Sequence, residues 1–179
     1  MLNWNKNLGI FNFLNEVSFI GATSERRLGI ISSLKDYNLY IAGSNWEKGV
    51  SAFKEIRFNK AGYVNKNKML NIFQETKINL NILTVENRDK TNLRNFEIPA
   101  TCSFQIAERN ETIIEYFLED KEIVLYDSIE ELKEKIEFYK RSDSIRNKIA
   151  LNGYLRTINS DYSLKSRLKR IIKLFEFSK

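Results

Sequence analysis

Lys77-Ile-Asn-Leu-Asn-Ile-Leu83, then Thr91-Asn-Leu-Arg-Asn-Phe-Glu97, then Phe104-Gln-Ile-Ala107: the succession from Lys77 to Ala107 decides the fold. It reads as a buried strand, a polar loop, a short helix and a second strand. Ile78, Leu80, Ile82 and Leu83 are bounded by polar residues, the pattern of a parallel strand covered on both faces. Glu86-Asn-Arg-Asp-Lys-Thr-Asn92 has almost no apolar content and reads as the loop. Thr91 or Asn92 can cap a helix that carries Arg94 and Glu97. Those two lie three apart, so they share a face near the helix start, at the mouth of the loop. This geometry suits a phosphorylated sugar. The helix end and the cation attract phosphate, and the carboxylate accepts from ribose hydroxyls. An ordinary surface salt bridge beside a solvated loop has the same pattern, so the rest of the chain must separate the two readings.

Upstream, Glu16 to Ile20 alternates into Gly21, a strand running into a turn. Gly21-Ala-Thr-Ser-Glu-Arg-Arg27 leads into Leu28, Ile30, Ile31 and Leu34, an amphipathic helix that Ser24 can cap. Asn38 to Gly43 is a second strand, and Gly43 to Gly49 a loop. Ile56 to Phe58 reads as a short strand, and Lys66 to Gln74 as a helix with Met69, Leu70 and Phe73 inward. Downstream, Glu111 to Leu118 reads as helix and Glu122 to Tyr126 as strand. Ser128 and Glu131 form a capping box, with Ile129, Leu132, Ile136 and Tyr139 on one face. A helix from Asp143 to Ile158 should turn Ile145, Ile149 and Ala150 inward. The last helix, from about Asp161, carries Leu164, Leu168, Ile171, Ile172 and Phe175 on one stripe. Pro99 should kink or end its helix, and Cys102 reads as a buried small hydrophobe.

Strands alternating with helices indicate an α/β fold, a doubly wound, mostly parallel Rossmann-like sheet with helices on both faces and further helices at the C-terminus. Residues 1–15 read as an N-terminal extension and 16–179 as one domain. Ligands of such sheets bind beyond the carboxyl ends of the strands. The loops there are Gly21–Arg27, Gly43–Trp46, Gly62–Val64 and Glu86–Asn92, and the three with glycine permit close backbone approach to a ligand. Neither a Gly-x-Gly-x-x-Gly nor a Walker A sequence is present, which counts against the usual dinucleotide and ATP-hydrolysis sites.

Composition narrows the chemistry. The 179 residues contain no histidine and one cysteine. That removes histidine-dependent nucleophilic systems and the common zinc sites, leaving carboxylates, Arg, Lys, hydroxyls and backbone groups. A lone cysteine and an N-terminus without signal-peptide layout suggest a reducing, cytoplasmic setting. Of the net charge of +6, most sits between Lys165 and Lys179, where six Lys/Arg face Glu176 alone. A domain-wide nucleic-acid footprint is therefore disfavoured. The basic, amphipathic segment 161–179 suits peripheral contact with the inner face of a membrane, although such charges are more usually a solvated helix face.

These pieces together resemble the C-terminal domain of GT-B glycosyltransferases, in particular the CgeB/YkvP-like branch of the group 1 enzymes. The likeness runs from about Val17 to Phe175. It includes Val17-Ser-Phe-Ile-Gly21 with Arg26-Arg27, Ile41-Ala-Gly43 with Trp46, and Leu80-Asn-Ile82. Thr91-Asn-Leu-Arg94, Phe96-Glu97, Glu122-Ile-Val124, Glu130-Glu-Leu132, Gly153, and Tyr162 with Arg167 continue it. The resemblance implies a nucleotide-sugar donor as substrate, with no further cofactor and no required metal. It puts Glu97 at the second glutamate of the family's Glu-x7-Glu motif, on the donor ribose, and Asp89 at the first acidic position. Arg94 would lie near the diphosphate, Arg26 or Arg27 would approach the phosphates, and Gly62, Tyr63 and Val64 would hold the base. The sequence departs from the family at Leu83, Ser160-Asp161 and Cys102, the last at a usual glycine. The family pairs two such domains, so a separate N-terminal acceptor domain or subunit is an implied partner. A non-catalytic module that keeps the fold remains the alternative.

Overall fold

The structure is a computed structural model that describes residues 13–47, 62–84, 88 and 90–177. Its elements are β1 (Asn15–Ile20), α1 (Glu25–Ser32), β2 (Leu39–Ala42), α2 (Lys66–Gln74), β3 (Thr76–Asn81) and α3 (Arg94–Ala100). They continue as β4 (Gln105–Glu108), α4 (Ile113–Tyr116), β5 (Val124–Tyr126), α5 (Ile129–Arg141), α6 (Asp143–Asn159) and α7 (Leu164–Phe177). The five strands form one sheet in the order β2-β1-β3-β4-β5, and every pairing is parallel. This is the expected doubly wound α/β architecture. The segment Ile56–Phe58, read as a strand, lies outside the described residues.

Register explains the layers. Ile41, Phe19, Leu80, Ile106 and Val124 stand opposite one another across all five strands. They belong to one apolar cluster with Ile30, Ile31 and Leu34 around α1 and Leu132, Ile136 and Tyr139 of α5. On the other face Ile20 and Ala42 meet Met69, Ile72 and Phe73 of α2 and Ile98 of α3. Farther along the sheet, Ala107 and Leu125 meet Ile113, Phe117 and Ile123.

The central strand alternates Ile-Asn-Leu-Asn, yet both its faces are buried. The asparagines are accommodated by partners rather than by water, as burial demands. Ser18 Oγ donates to Asn79 Oδ1 at 2.7 Å. Asn79 Nδ2 donates to the carbonyls of Phe73 and Phe104. Asn81 and Asn92 exchange amide hydrogen bonds of 3.1 and 2.9 Å, and Gln105 Nε2 donates to the Arg94 carbonyl at 3.3 Å. A polar seam thus runs through the face that α2 and α3 cover.

Helix starts follow the expected chemistry, with shifts of a residue. Ser24 caps α1 by accepting from Arg27 N. Ser128 accepts from Glu131 N at 3.1 Å, while Glu131 reaches back to Asp127 N rather than to Ser128. At α3 the residue preceding the helix is Leu93, which makes no side-chain cap bond. Asn92 and Asn95 instead exchange side chain to backbone bonds of 2.9 and 3.3 Å, so Asn92 still serves the helix entry. Pro99 stands one residue before the end of α3.

Four expectations change. Ile145 is 46 % exposed, and Arg146 is buried in its stead. Arg146 can be buried because Nη1 donates to the Tyr139 carbonyl and Nη2 to Asp143, both at 2.6 Å. In α2 the buried stripe is Met69, Ile72 and Phe73, with Leu70 only partly covered. The helix expected over 111–118 contracts to the four residues of α4. Cys102 is half-buried with φ +57°, a left-handed turn position that glycine favours.

Helix α6 meets α3 and the turn before β5 closely at Gly153. A Cβ there would lie 2.5 Å from the Glu122 carbonyl oxygen and 3.4 Å from Pro99 Cβ. Gly153→Ala should therefore lose stability despite its gain of about 1 kcal/mol in helix propensity. The expected net cost is about 1–2 kcal/mol in urea unfolding. Asn79→Ala takes the acceptor from the Ser18 hydroxyl and the side-chain donor from the Phe73 carbonyl, while the Phe104 carbonyl keeps the Asn79 N–H, and should cost about 2–3 kcal/mol by the same measurement.

Candidate functional site

Strand order reverses at β1, with β2 on one side and β3 on the other, so the crevice of this sheet opens beyond the carboxyl end of β1. Arg94 stands there. Its Nε donates to the Ile20 carbonyl at 3.4 Å, and its guanidinium lies 5.9 Å from the centre of the Phe73 ring. The first turn of α3 brings Glu97 beside it, and the two side chains form an ion pair. Each is between a quarter and a third exposed, 28 % and 29 %, so solvent and solutes reach both. The seam described above fixes this helix, because Asn81–Asn92 and Gln105–Arg94 are its ties to β3 and β4.

The other expected residues divide by what they touch. Gly21 directly follows Ile20, and its carbonyl accepts from Trp46 Nε1 at 2.7 Å. Gly43, at φ +138°, crosses so close that a Cβ would lie 1.9 Å from the Gly21 oxygen. Its N–H donates to the Gly62 carbonyl at 2.8 Å. Glycine here lets the first, second and third loops approach one another. Val64 is buried in the cluster beneath α2 and α3, whereas Tyr63 is 89 % exposed. Thr91 is half-buried at the loop end. Asp89 lies outside the described residues.

The two adjacent arginines of α1 differ sharply. Arg27 is buried and stacks 5.4 Å from the Phe19 ring centre. Its Nε and Nη2 donate to the Ile82 carbonyl at 3.1 and 2.7 Å, and Nη1 to the Ala22 carbonyl at 3.0 Å. It thereby laces the end of β3 to the first loop. Arg26 is half exposed, pairs with Glu108 and donates to the Leu83 carbonyl. It borders a cavity of about 400 Å³ beyond β3, β4 and β5, together with Glu108, Arg109, Tyr126, Asp127 and the basic loop residues Arg88 and Lys90. Arg94 and Glu97 do not line this cavity.

Glu108, Arg109, Tyr126 and Asp127 are absent from the sequence-derived set. The available signal was position, since they end or directly follow β4 and β5 at the carboxyl edge. Arg109 is held by Glu119 and by Asp127 at 2.7 Å. The Tyr126 hydroxyl is buried without a hydrogen-bond partner among the described residues. Burial, and then the Glu108 charge, hold its phenol protonated well above the usual range. No cluster of three or more metal-ligating side chains forms among the described residues.

Comparison with known proteins bears on this geometry. No curated protein matches the chain. Among solved structures, it is similar to the C-terminal domain of the glycosyl transferase group 1 family protein LpcC from Francisella tularensis. That likeness has 19 % identity and a TM-score of 0.64, covering 83 % of this chain and 87 % of that one. Sucrose-phosphate synthase from Thermosynechococcus elongatus superposes with TM-score 0.72 at 12 % identity, over 92 % of this chain and 46 % of its own. Anabaena Alr3699/HepE, solved with UDP and glucose, gives TM-score 0.71 at 10 % identity, over 93 % and 48 %. The chain thus spans about half the length of those two proteins. These likenesses carry the fold, that of GT-B C-terminal domains, and the sequence match carries the family. Residues 26–173 match the glycosyl transferase-like family, and the chain belongs to it.

Proposed function

We propose that this chain is the donor-binding part of a glycosyltransferase of the CgeB/YkvP-like branch, and that it clasps a nucleotide sugar at the mouth of β1. The observation that carries this reading is the Arg94–Glu97 pair, solvent-accessible and fixed at the crevice where the strand order reverses. In this reading Arg94 exchanges part of its bond to Glu97 for the diphosphate, to which a planar, permanently charged guanidinium is suited. The freed Glu97 carboxylate accepts from the ribose hydroxyls. Gly21, Thr91 and Asn92 border the diphosphate side, and Gly62, Tyr63 and Val64 the base. Asp89 would add an acid toward the sugar. Of the two α1 arginines, Arg26 is the one whose exposure suits a phosphate contact, while Arg27 acts through the loop it laces.

The chemistry assigned to these residues is stabilisation of a leaving group. As the glycosidic bond breaks, negative charge grows on the departing nucleoside diphosphate, and a cation already in position lowers that barrier. Arg94 supplies such a cation without a metal being needed. Transfer also needs an acceptor site, and the HepE and sucrose-phosphate synthase chains are about twice the length matched here. A separate acceptor domain or subunit is therefore part of the proposal.

Titration calorimetry with UDP-, GDP- and ADP-sugars tests the reading on the full chain. One nucleotide class should bind, and Glu97→Ala and Arg94→Ala should each weaken it about 10- to 100-fold, the worth of a charge-assisted hydrogen bond. A folded sample that binds none of these, or binds equally well without Glu97, would overturn the assignment.

A further inference from the structure

Helix α3 is placed by the sheet more than by its own residues. It is seven residues long, and Leu93 before it makes no side-chain cap bond. Pro99 within it has no N–H to give to the Asn95 carbonyl one turn back. So short a helix is marginal without outside ties. The tie at its entry is a group of three asparagines. Asn81, at the end of β3, exchanges amide bonds of 3.1 and 2.9 Å with Asn92. Asn92 N donates to Asn95 Oδ1 at 2.9 Å, and Asn95 N donates back to Asn92 Oδ1 at 3.3 Å. Asn81 is 2 % exposed, which puts it out of reach of a ligand in the crevice.

We infer that Asn81 is a positioning residue for nucleotide-sugar binding, acting through Asn92 on the Arg94–Glu97 pair. The inference rests on the donor-site reading above and adds to it a residue that no ligand meets. Arg94 lies two positions beyond Asn92 and Glu97 five, so a shift of Asn92 is passed to both within about one and a half turns. The other holds on that turn are single, longer bonds. Gln105 Nε2 reaches the Arg94 carbonyl at 3.3 Å, and Arg94 Nε reaches the Ile20 carbonyl at 3.4 Å. Asn81 supplies two bonds, in a buried setting that strengthens each of them. Asn79 is the internal comparison. It lies on the same face of the same strand and is fully buried, yet its partners are Ser18, Phe73 and Phe104, none of them between Asn92 and Glu97. Phe73, whose ring lies 5.9 Å from the Arg94 guanidinium, is met by Asn79 only at its carbonyl. Were buried amides here only stabilising, Asn79 and Asn81 would behave alike. Losing either would lower stability and leave the affinity of the folded chain unchanged.

Calorimetry on the full chain, with the UDP-, GDP- or ADP-sugar that the parent binds, separates the two roles when paired with urea unfolding. Asn81→Ala removes the amide by truncation. Asn81→Leu removes it at similar volume, and leucine suits a buried strand, so this variant carries the test where the first does not fold. Each should weaken nucleotide-sugar binding about tenfold at unchanged far-UV circular dichroism. Asn79→Ala should lose comparable stability in urea, yet bind within about twofold of the parent. Folded Asn81 variants that bind as tightly as the parent overturn the inference, and leave the donor site standing if Arg94→Ala and Glu97→Ala still weaken binding. Equal weakening by Asn79→Ala overturns it as well, because the amides then act only through the stability of the sheet. A parent that binds no nucleotide sugar, or binds it equally well without Glu97, removes the donor-site reading and this inference with it.

Discussion

Everything at the mouth of the sheet depends on amides buried inside it. A parallel strand covered on both faces would ordinarily be apolar throughout. Here β3 places Asn79 and Asn81 on the side of α2 and α3, where Ser18, Asn92 and two carbonyls receive them. Such a seam is favourable only when its members are matched, because an unmatched buried amide costs about 1–3 kcal/mol. The matching fixes the height and rotation of α3, since Asn92 and the Arg94 carbonyl are both held. Apolar packing alone would tolerate a helix sliding by a fraction of an ångström. Directional bonds from two strands do not, and the Arg94–Glu97 pair inherits that definition.

The energetics of this pair suit a binding role better than a stabilising one. A partly exposed ion pair contributes about 0–1 kcal/mol to folding. Separating it to admit a ligand therefore costs little, whereas the charge-assisted bonds each side chain can make to phosphate or hydroxyl are stronger. Arg27 illustrates the opposite use of the same residue type. Buried, with its guanidinium on two carbonyls, it is committed to structure. Two adjacent arginines in sequence are thus separated in role by the turn of one helix.

Much of this was legible in the residues. The caps at Ser24 and Ser128, the stripe of α5, and the succession of strand, loop and helix around Arg94 follow from local chemistry that tertiary packing leaves intact. What escaped was decided by contacts distant in sequence. Arg146 shares the helical stripe of Ile149, Ala150 and Gly153, but hydropathy favours its neighbour Ile145, and the carbonyl of Tyr139 is what lets the arginine enter the interior. The glycines at 21 and 43 read as room for a ligand, yet their loops approach each other, which no local pattern announces. Glu108 and Tyr126 carry no motif, and only the register of β4 and β5 brings them to the cavity.

Phe96 immediately precedes Glu97, and its ring meets those of Tyr116, Phe117 and Tyr162 at centroid separations of 5.2–5.9 Å. Arg167 of α7 lies over the same ring. One benzene ring therefore touches both the terminal helix and the helix that bears the acid. Truncating that ring would remove a contact from each of them at once.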